Sequence, residues 1–329
     1  MSIALDAMGG DFAPREVVKG ALLALPELES RLFLVGDPNR IREHLPSGLP
    51  SSMEIVPASE TVEMQEKPLD AYRRKRDSSI RVAVELVRDA KAQVFVSAGN
   101  TGACAATCQL TWRQMRGIER PAIATELPHR TGRFVLLDTG ASPDVDPEHL
   151  VQFAIMGRAY AHKVMGKPNP FVHLLNIGEE EGKGNALAKQ AFGLLKEFAW
   201  FKGNIEGKDM WNQSCDVVIC DAFVGNIVLK TSEGLAELLV RNIRDQIPKT
   251  FPANLPYLPL RRIMLPLRKK MDWAEVGGSP LLGLNGTCII AHGRSDARAI
   301  KNAILLAEKA IKGRLADTIR DSVAKELGG

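Results

Sequence analysis

The sequence predicts an α/β protein built on a doubly wound, mostly parallel sheet. Two observations carry that prediction. Short β-branched runs alternate with helical stretches along the chain, and the runs are apolar throughout, as strands covered on both faces must be. Five of the runs end in loops of Gly with Asp, Asn, Ser or Thr, and sheets of this kind hold ligands beyond the carboxyl ends of their strands.

The elements follow in order. SIALDAMGGDFAP places a strand at 2–5 before Asp6, Gly9 and Gly10, with Pro14 suited to a first helical turn. RLFLVGD (31–37) and MEIVPAS (53–59) are the next strands, and a helix is expected over about 77–91. VFVSAGNTGAC (94–104) starts as a buried strand and turns into Ser97, Gly99, Asn100, Thr101 and Gly102. A loop of this composition offers backbone donors and little bulk, and where it opens a helix those donors favour an anion. Residues 92–112 carry no charge, yet Ser97, Asn100, Thr101, Thr107, Gln109 and Thr111 make the stretch costly in lipid, so it reads as strand, loop and helix start. RFVLLDTGAS (133–142) ends in Asp138, Thr139 and Gly140. NPFVHLLNIGEEEGKGN (169–185) ends in Asn176, Gly178 and the Gly182–Lys183–Gly184 turn. CDVVICDAFVGN (215–226) ends in Asp221, Gly225 and Asn226.

Composition narrows the function classes. The 329 residues suit one large α/β unit in one or two lobes, with 45% hydrophobic and 25% charged residues for an ample core. A net charge of +4 is too weak to argue nucleic acid, and aromatic residues, 5% of the chain, never interleave with basic ones as a stacking platform needs. Mild basicity suits an acidic partner if the charge is clustered. The five cysteines lie mostly in apolar runs, and Cys215 and Cys220 flank DVVI with the spacing of a strand rather than a zinc knuckle. Reduced core thiols in a cytoplasmic protein are expected, and MSIALDAMGG reads as a strand rather than a secretion signal.

Two motifs are decoys. GEEEGKG (178–184) has three residues between its glycines where a P-loop has four, and Gly184 where the magnesium-binding hydroxyl belongs. GKGNAL puts Leu187 where a dinucleotide fingerprint needs its third glycine. What remains is Lys183, a cation between two glycines after a strand: either an anion ligand or a solvated partner of Glu179–Glu181. His129, His162, His173 and His292 lack metal spacing, no Gly-x-Ser-x-Gly elbow occurs, and neither a metal nor another cofactor is expected. Donors and cations without an obvious nucleophile fit a reaction in which the ligand attacks, and inorganic phosphate is such a ligand.

LDAMGGDFAP, EKPLDAYRRKRDSSI, VSAGNTGA, LLDTGA, LLNIGEEEGKGN, DVVICDAFVGNIVLKTSEG and GGSPLLGLNGTCIIAHGRSDARAIKNAI together resemble the bacterial acyl-ACP:phosphate acyltransferases of phospholipid synthesis. The resemblance runs from residue 2 to about 312 and weakens over 243–272. It implies a fold like those of isocitrate and isopropylmalate dehydrogenases and phosphotransacetylase, and formation of acyl phosphate from acyl-ACP and inorganic phosphate. It also implies a homodimer, peripheral association with the cytoplasmic face of the membrane, and delivery to a membrane glycerol-3-phosphate acyltransferase. An acyl-CoA:phosphate acyltransferase and a non-enzymatic acyl-ACP-binding scaffold remain as alternatives.

From the matching motifs, Lys183 and Asn226 are the expected catalytic residues, with helix capping the alternative for Asn226. His292 either protonates the departing carrier thiolate or packs as a structural histidine. Gly9, Gly10, Asn100, Thr101, Gly102, Asp138 and Asn176 are expected around phosphate and substrate. Arg73, Arg74, Lys75 and Arg76 form a basic run that either docks acidic ACP or is a solvated helix face. FPANLPYLPLRRIMLPLRKKMDW (251–273), within a basic and apolar arm at 243–272, mixes Leu258, Leu260, Ile263 and Leu265 with Arg261 and Arg262. That mixture suits an anionic membrane surface, with a dimer arm as the alternative.

Overall fold

The computed structural model describes residues 1–46, 48–212, 214–246 and 273–328. Its strands divide between two sheets. The larger contains β1 (Ser2–Asp6), β2 (Arg31–Gly36), β3 (Met53–Pro57), β4 (Val94–Ser97), β5 (Ala122–Ile123), β11 (Ser279–Leu282) and β12 (Thr287–Ile290), in the order β3-β2-β1-β4-β12-β11-β5. Its first five strands in that order run parallel, with Ser2 opposite Arg31 and Val94 opposite both Ile3 and Thr287. The pairings of β11 with β12 and β5 are antiparallel. The smaller sheet contains β6 (Thr125–His129), β7 (Gly132–Leu137), β8 (Val172–Asn176), β9 (Phe201–Glu206) and β10 (Val217–Ile219), in the order β6-β7-β10-β8-β9. It is parallel except for the β6–β7 hairpin.

Buried strands such as VFVS and VVI leave no side chain in water, which explains their lack of alternation. Helices α1 (Arg15–Ala24), α4 (Ser79–Arg88) and α5 (Thr101–Trp112) pack on or beside the larger sheet. Helix α6 (Pro147–Lys163) packs on β7 and β10 of the smaller and buries residues around most of its circumference, including Phe153, Ile155 and Tyr160. The largest apolar cluster runs between the two sheets, joining Ile3, Leu5 and Val96 to Leu137, Phe153 and Val217, with smaller clusters around Phe95 and Phe134.

Helix α2 (Pro38–Arg42) and α3 (Pro68–Arg74) are short, while α7 (Ala186–Leu195), α8 (Ala222–Asp245), α9 (Ala297–Lys312) and α10 (Leu315–Leu327) complete the helices described. Asp37, Asn185, Asp221 and Asp296 cap α2, α7, α8 and α9, each accepting backbone N–H from the first turn. Pro14 stands one residue before α1, at its N-cap. All five cysteines are free and buried. No described helix is long and apolar enough to cross a membrane.

Candidate active site

The strand-end loops build a cleft where the two sheets meet. At the larger sheet, Asp6 anchors the loop holding Gly9 and Gly10: Ser97 Oγ donates to Asp6 Oδ2 at 2.7 Å and the Met8 amide to Oδ1 at 3.1 Å. Burial raises the pKa of Asp6, against the lowering by these hydrogen bonds. The Asp11 amide donates to Gly293 O and the Ala291 amide to Ser97 O, both at 2.8 Å, so the loop carrying His292 is pinned to the ends of β1 and β4.

Asn100 is the N-cap of α5, its Oδ1 accepting the Ala103 amide at 3.0 Å. Its Nδ2 donates to the carbonyls of Glu63, Met64 and Glu66 at 3.2, 3.0 and 3.0 Å. The side chain expected to touch phosphate therefore holds the loop before α3. The first-turn amides of Thr101 and Gly102 have no intrahelical acceptor, and Thr101 lines the cleft. Gly102 lets α3 approach, since a Cβ there would stand 2.7 Å from Pro68 Cγ.

Asp138 also braces a loop. Fully buried, it accepts amides from Ile123 at 2.9 Å, Gly140 and Ala141 at 3.0 Å, and Ser142 at 2.7 Å. Burial raises its pKa despite these four donors. The braced loop puts Thr139 and Gly140 in the cleft wall. Helix α8 passes so close that a Cβ on Gly225 would fall 1.9 Å from Asp138 O, so this contact of helix with loop requires glycine.

Asn226, the fifth residue of α8, is exposed and lines the same cleft as His292. The helix cap is Asp221, whose carboxylate accepts the Val224 amide at 2.9 Å, so Asn226 has no capping role. His292 is half-buried, with Nδ1 accepting the Arg294 amide at 3.1 Å. That bond puts the ring proton of the neutral imidazole on Nε2. Burial lowers the His292 pKa, and the nearby Lys230 ammonium lowers it further.

The cleft encloses about 270 Å³ and draws its walls from both sheets. Thr125 Oγ1 lies 2.8 Å from Thr139 Oγ1 and 3.0 Å from Ser279 Oγ, and Thr139 Oγ1 donates to Ile123 O at 3.1 Å. This chain of hydroxyls stitches the smaller sheet to β11. Thr139 belongs to a strand-end loop marked by the sequence, whereas Thr125, Lys230 and Ser279 were not singled out from it. Lys230 was legible once α8 was known to start at Ala222, because it falls one turn beyond Asn226.

Asn176 and Lys183 stand at and after the end of β8, outside the lining of this cleft. Asn176 Nδ2 donates to Lys183 O at 3.1 Å and its Oδ1 accepts the Ile177 amide at 2.8 Å, shaping the turn that leaves Lys183 exposed. Asn176 and Gly184 border a neighbouring cavity of about 330 Å³, walled by Leu174, Leu187 and Val224 on the far side of the start of α8. Lys183 is thus not among the residues lining the cleft with Asn226 and His292.

Arg73, Arg74 and Arg76 are exposed at the end of α3, whereas Lys75 is paired with Glu66 and donates to Thr61 O at 2.6 Å. Leu258, Leu260, Arg261, Arg262, Ile263 and Leu265 lie outside the described residues. Among the described residues, no group of three or more His, Cys, Asp or Glu side chains could hold a metal ion.

Residues 1–317 match the family described as fatty acid synthesis protein. The phosphate acyltransferase of Desulfitobacterium hafniense (strain DSM 10664 / DCB-2) is 47% identical over 328 residues, covering 99% of this chain and 98% of that relative. The chain belongs to the phosphate acyltransferases, an enzyme family of fatty acid synthesis. The phosphate acyltransferase of Brevibacillus brevis is 45% identical over 332 residues, covering all of this chain and 99% of that one. Among solved structures, a phosphotransacetylase from Streptococcus pyogenes shares the fold with a TM-score of 0.64, at 18% identity, over 95% of this chain and 94% of that one. A 4-hydroxythreonine-4-phosphate dehydrogenase from Klebsiella pneumoniae does so with a TM-score of 0.52, at 13% identity, over 96% and 99%. The phosphate acyltransferase fold is therefore the α/β fold expected from the sequence.

Proposed function

We propose that this phosphate acyltransferase converts acyl-ACP and inorganic phosphate into acyl phosphate and free ACP, with phosphate attacking the thioester directly. The observation that carries the reading is the convergence of Asn226, His292 and the first turn of α5 on one cleft. All five cysteines are buried, and burial pushes the thiols of Cys104, Cys108 and Cys220 well up and that of Cys215 to about 12, so none is poised as an acyl acceptor. In the proposed step an oxygen of hydrogen phosphate bonds to the thioester carbon. The carbonyl becomes an oxyanion that Asn226 Nδ2 and the α5 amides stabilise, while Lys183, in the turn after β8, adds positive charge. As the C–S bond breaks, the Nε2–H of neutral His292 donates a hydrogen bond to the departing sulfur, and the proton that hydrogen phosphate releases passes through solvent to that sulfur, leaving acyl phosphate and the carrier thiol.

Exposed Arg73, Arg74 and Arg76 beside the α5 end of the cleft support docking of acidic ACP there. Helix α8 supports a homodimer: of its 24 residues only Ala222 and Gly225 are buried, while Ile227, Leu235, Leu238 and Leu239 are about half exposed. The 251–273 segment, by its mixture of leucines and cations, supports peripheral contact with the cytoplasmic membrane face, where a glycerol-3-phosphate acyltransferase would consume acyl phosphate. The test is transfer from acyl-ACP and from acyl-CoA to labelled phosphate, read as acyl phosphate. Product from acyl-CoA alone would replace the carrier reading, and carrier binding without product would replace the enzymatic one.

A further inference from the structure

Inorganic phosphate enters the cleft as an anion and meets two carboxylates already in its walls, Glu126 and Glu233. Glu126 Oε1 accepts the Tyr160 hydroxyl at 2.7 Å, which fixes the carboxylate without neutralising it. A phosphate held there needs a positive charge that does not depend on protonation near neutral pH. Among the described residues lining the cleft, Lys230 is the one lysine or arginine. Asn226 and Lys230 are four apart on α8, so both side chains leave the same helix face. Glu233, three residues further on, pairs with Lys230 Nζ at 2.8 Å and restrains an otherwise flexible stem. An ammonium has three donors, so two remain for phosphate oxygens while Glu233 keeps the third.

The arrangement extends across the cleft. The hydroxyls of Ser279, Thr125 and Thr139 form a chain that ends on Ile123 O, committing them mainly to one another. They shape the wall but supply no charge. Lys183, the cation that the motif pattern favours, is outside this lining.

We infer that Lys230, rather than Lys183, is the residue that anchors the attacking phosphate. The inference rests on the phosphate-attack reading above and adds the residue that holds the nucleophile. A charge-assisted contact of this kind gives an expected rise in phosphate KM of roughly ten- to hundredfold for Lys230→Gln, with the KM for acyl-ACP within about twofold of wild type. Lys230→Arg, which keeps the charge, should recover most of the loss. The exposed position of Lys230 predicts an unchanged melting temperature. Calorimetric titration with inorganic phosphate alone should show binding to the wild type and Lys230→Arg, and little to Lys230→Gln. Wild-type phosphate KM and binding in Lys230→Gln would overturn the assignment. If the wild type makes no acyl phosphate, the reaction reading fails, while the titration still decides whether Lys230 anchors phosphate.

Discussion

Replacing Asp138 by alanine removes the acceptor of four amides at once, two buried (Ile123 and Ser142) and two part-buried (Gly140 and Ala141). A buried amide left without a partner costs about 1–3 kcal/mol, so the two buried ones set a gross loss of roughly 2–6 kcal/mol, while water reaches the other two. Two effects reduce it: water can enter the vacated space, and the variant no longer buries a carboxylate whose pKa burial has raised. A net destabilisation of about 2–4 kcal/mol is expected, a sizeable share of the roughly 5–15 kcal/mol that holds a typical domain together. Asp138→Asn keeps the shape and one acceptor but turns an NH₂ group towards donors, and should cost about 2–3 kcal/mol. Urea unfolding followed by circular dichroism gives the stability, and acyl phosphate formation per folded molecule gives the activity. Both should fall together, because the loop that loosens carries Thr139 and Gly140 in the cleft wall. A wild-type urea midpoint with collapsed activity would refute the bracing argument and place the carboxylate on the substrate.

Lys183→Ala is expected to reduce turnover by about a hundredfold with an unchanged melting temperature; near-wild-type turnover and phosphate affinity would remove Lys183 from the chemistry. Asn226→Ala should likewise reduce turnover without a loss of stability, since Asp221 caps the helix, and a lowered melting temperature with normal turnover would contradict that. Reversing Arg73 and Arg74 should weaken acyl-ACP affinity at low salt and flatten its salt dependence, leaving phosphate KM alone; unaltered affinity would move the docking surface elsewhere. His292 and His173 both have pKa values lowered chiefly by burial, so the folded chain binds fewer protons than the unfolded one. Stability should therefore be lost as pH falls from the ordinary histidine value of 6.5 towards the lowered values. In the same window kcat/KM should decline, because a proton gained at His292 Nδ1 ends the Arg294 bond that orients the ring, and an acid limb retained in His292→Gln would exclude that residue as its source.

Most parallel strands were readable because each centres on a short apolar run, and VFVS, GRFVLL and VVI lie where the sequence places strands, whereas FKGNIE, with Lys202, Asn204 and Glu206, carries no such run. The division into two sheets was less legible. It turns on β5, which has only two residues, and on β6, whose Pro128 reads as a strand breaker. Site residues were found through their loops, so loop composition marked the positions but not the direction of each side chain. Asn100 and Asp138 have the residue types of ligand donors, yet their polar atoms are taken up by neighbouring backbone. Lys230 escaped notice because it lies inside a helix, away from the glycine-rich punctuation that drew attention to Lys183.

The three carbonyls held by Asn100 have a mechanical consequence. Glu63, Met64 and Glu66 are fastened to the first turn of α5 by one amide group, and Pro68 sits against Gly102 immediately afterwards. The exposed arginines at the end of α3 are thus tied by these bonds to the first turn of α5 that lines the cleft. A carrier gripping those arginines would deliver its tethered thioester in a frame already aligned with the α5 amides. Lengthening the 63–67 segment by one residue would spoil that alignment without touching either surface, so carrier affinity and catalytic rate, normally changed together at a substrate contact, could be separated by an insertion.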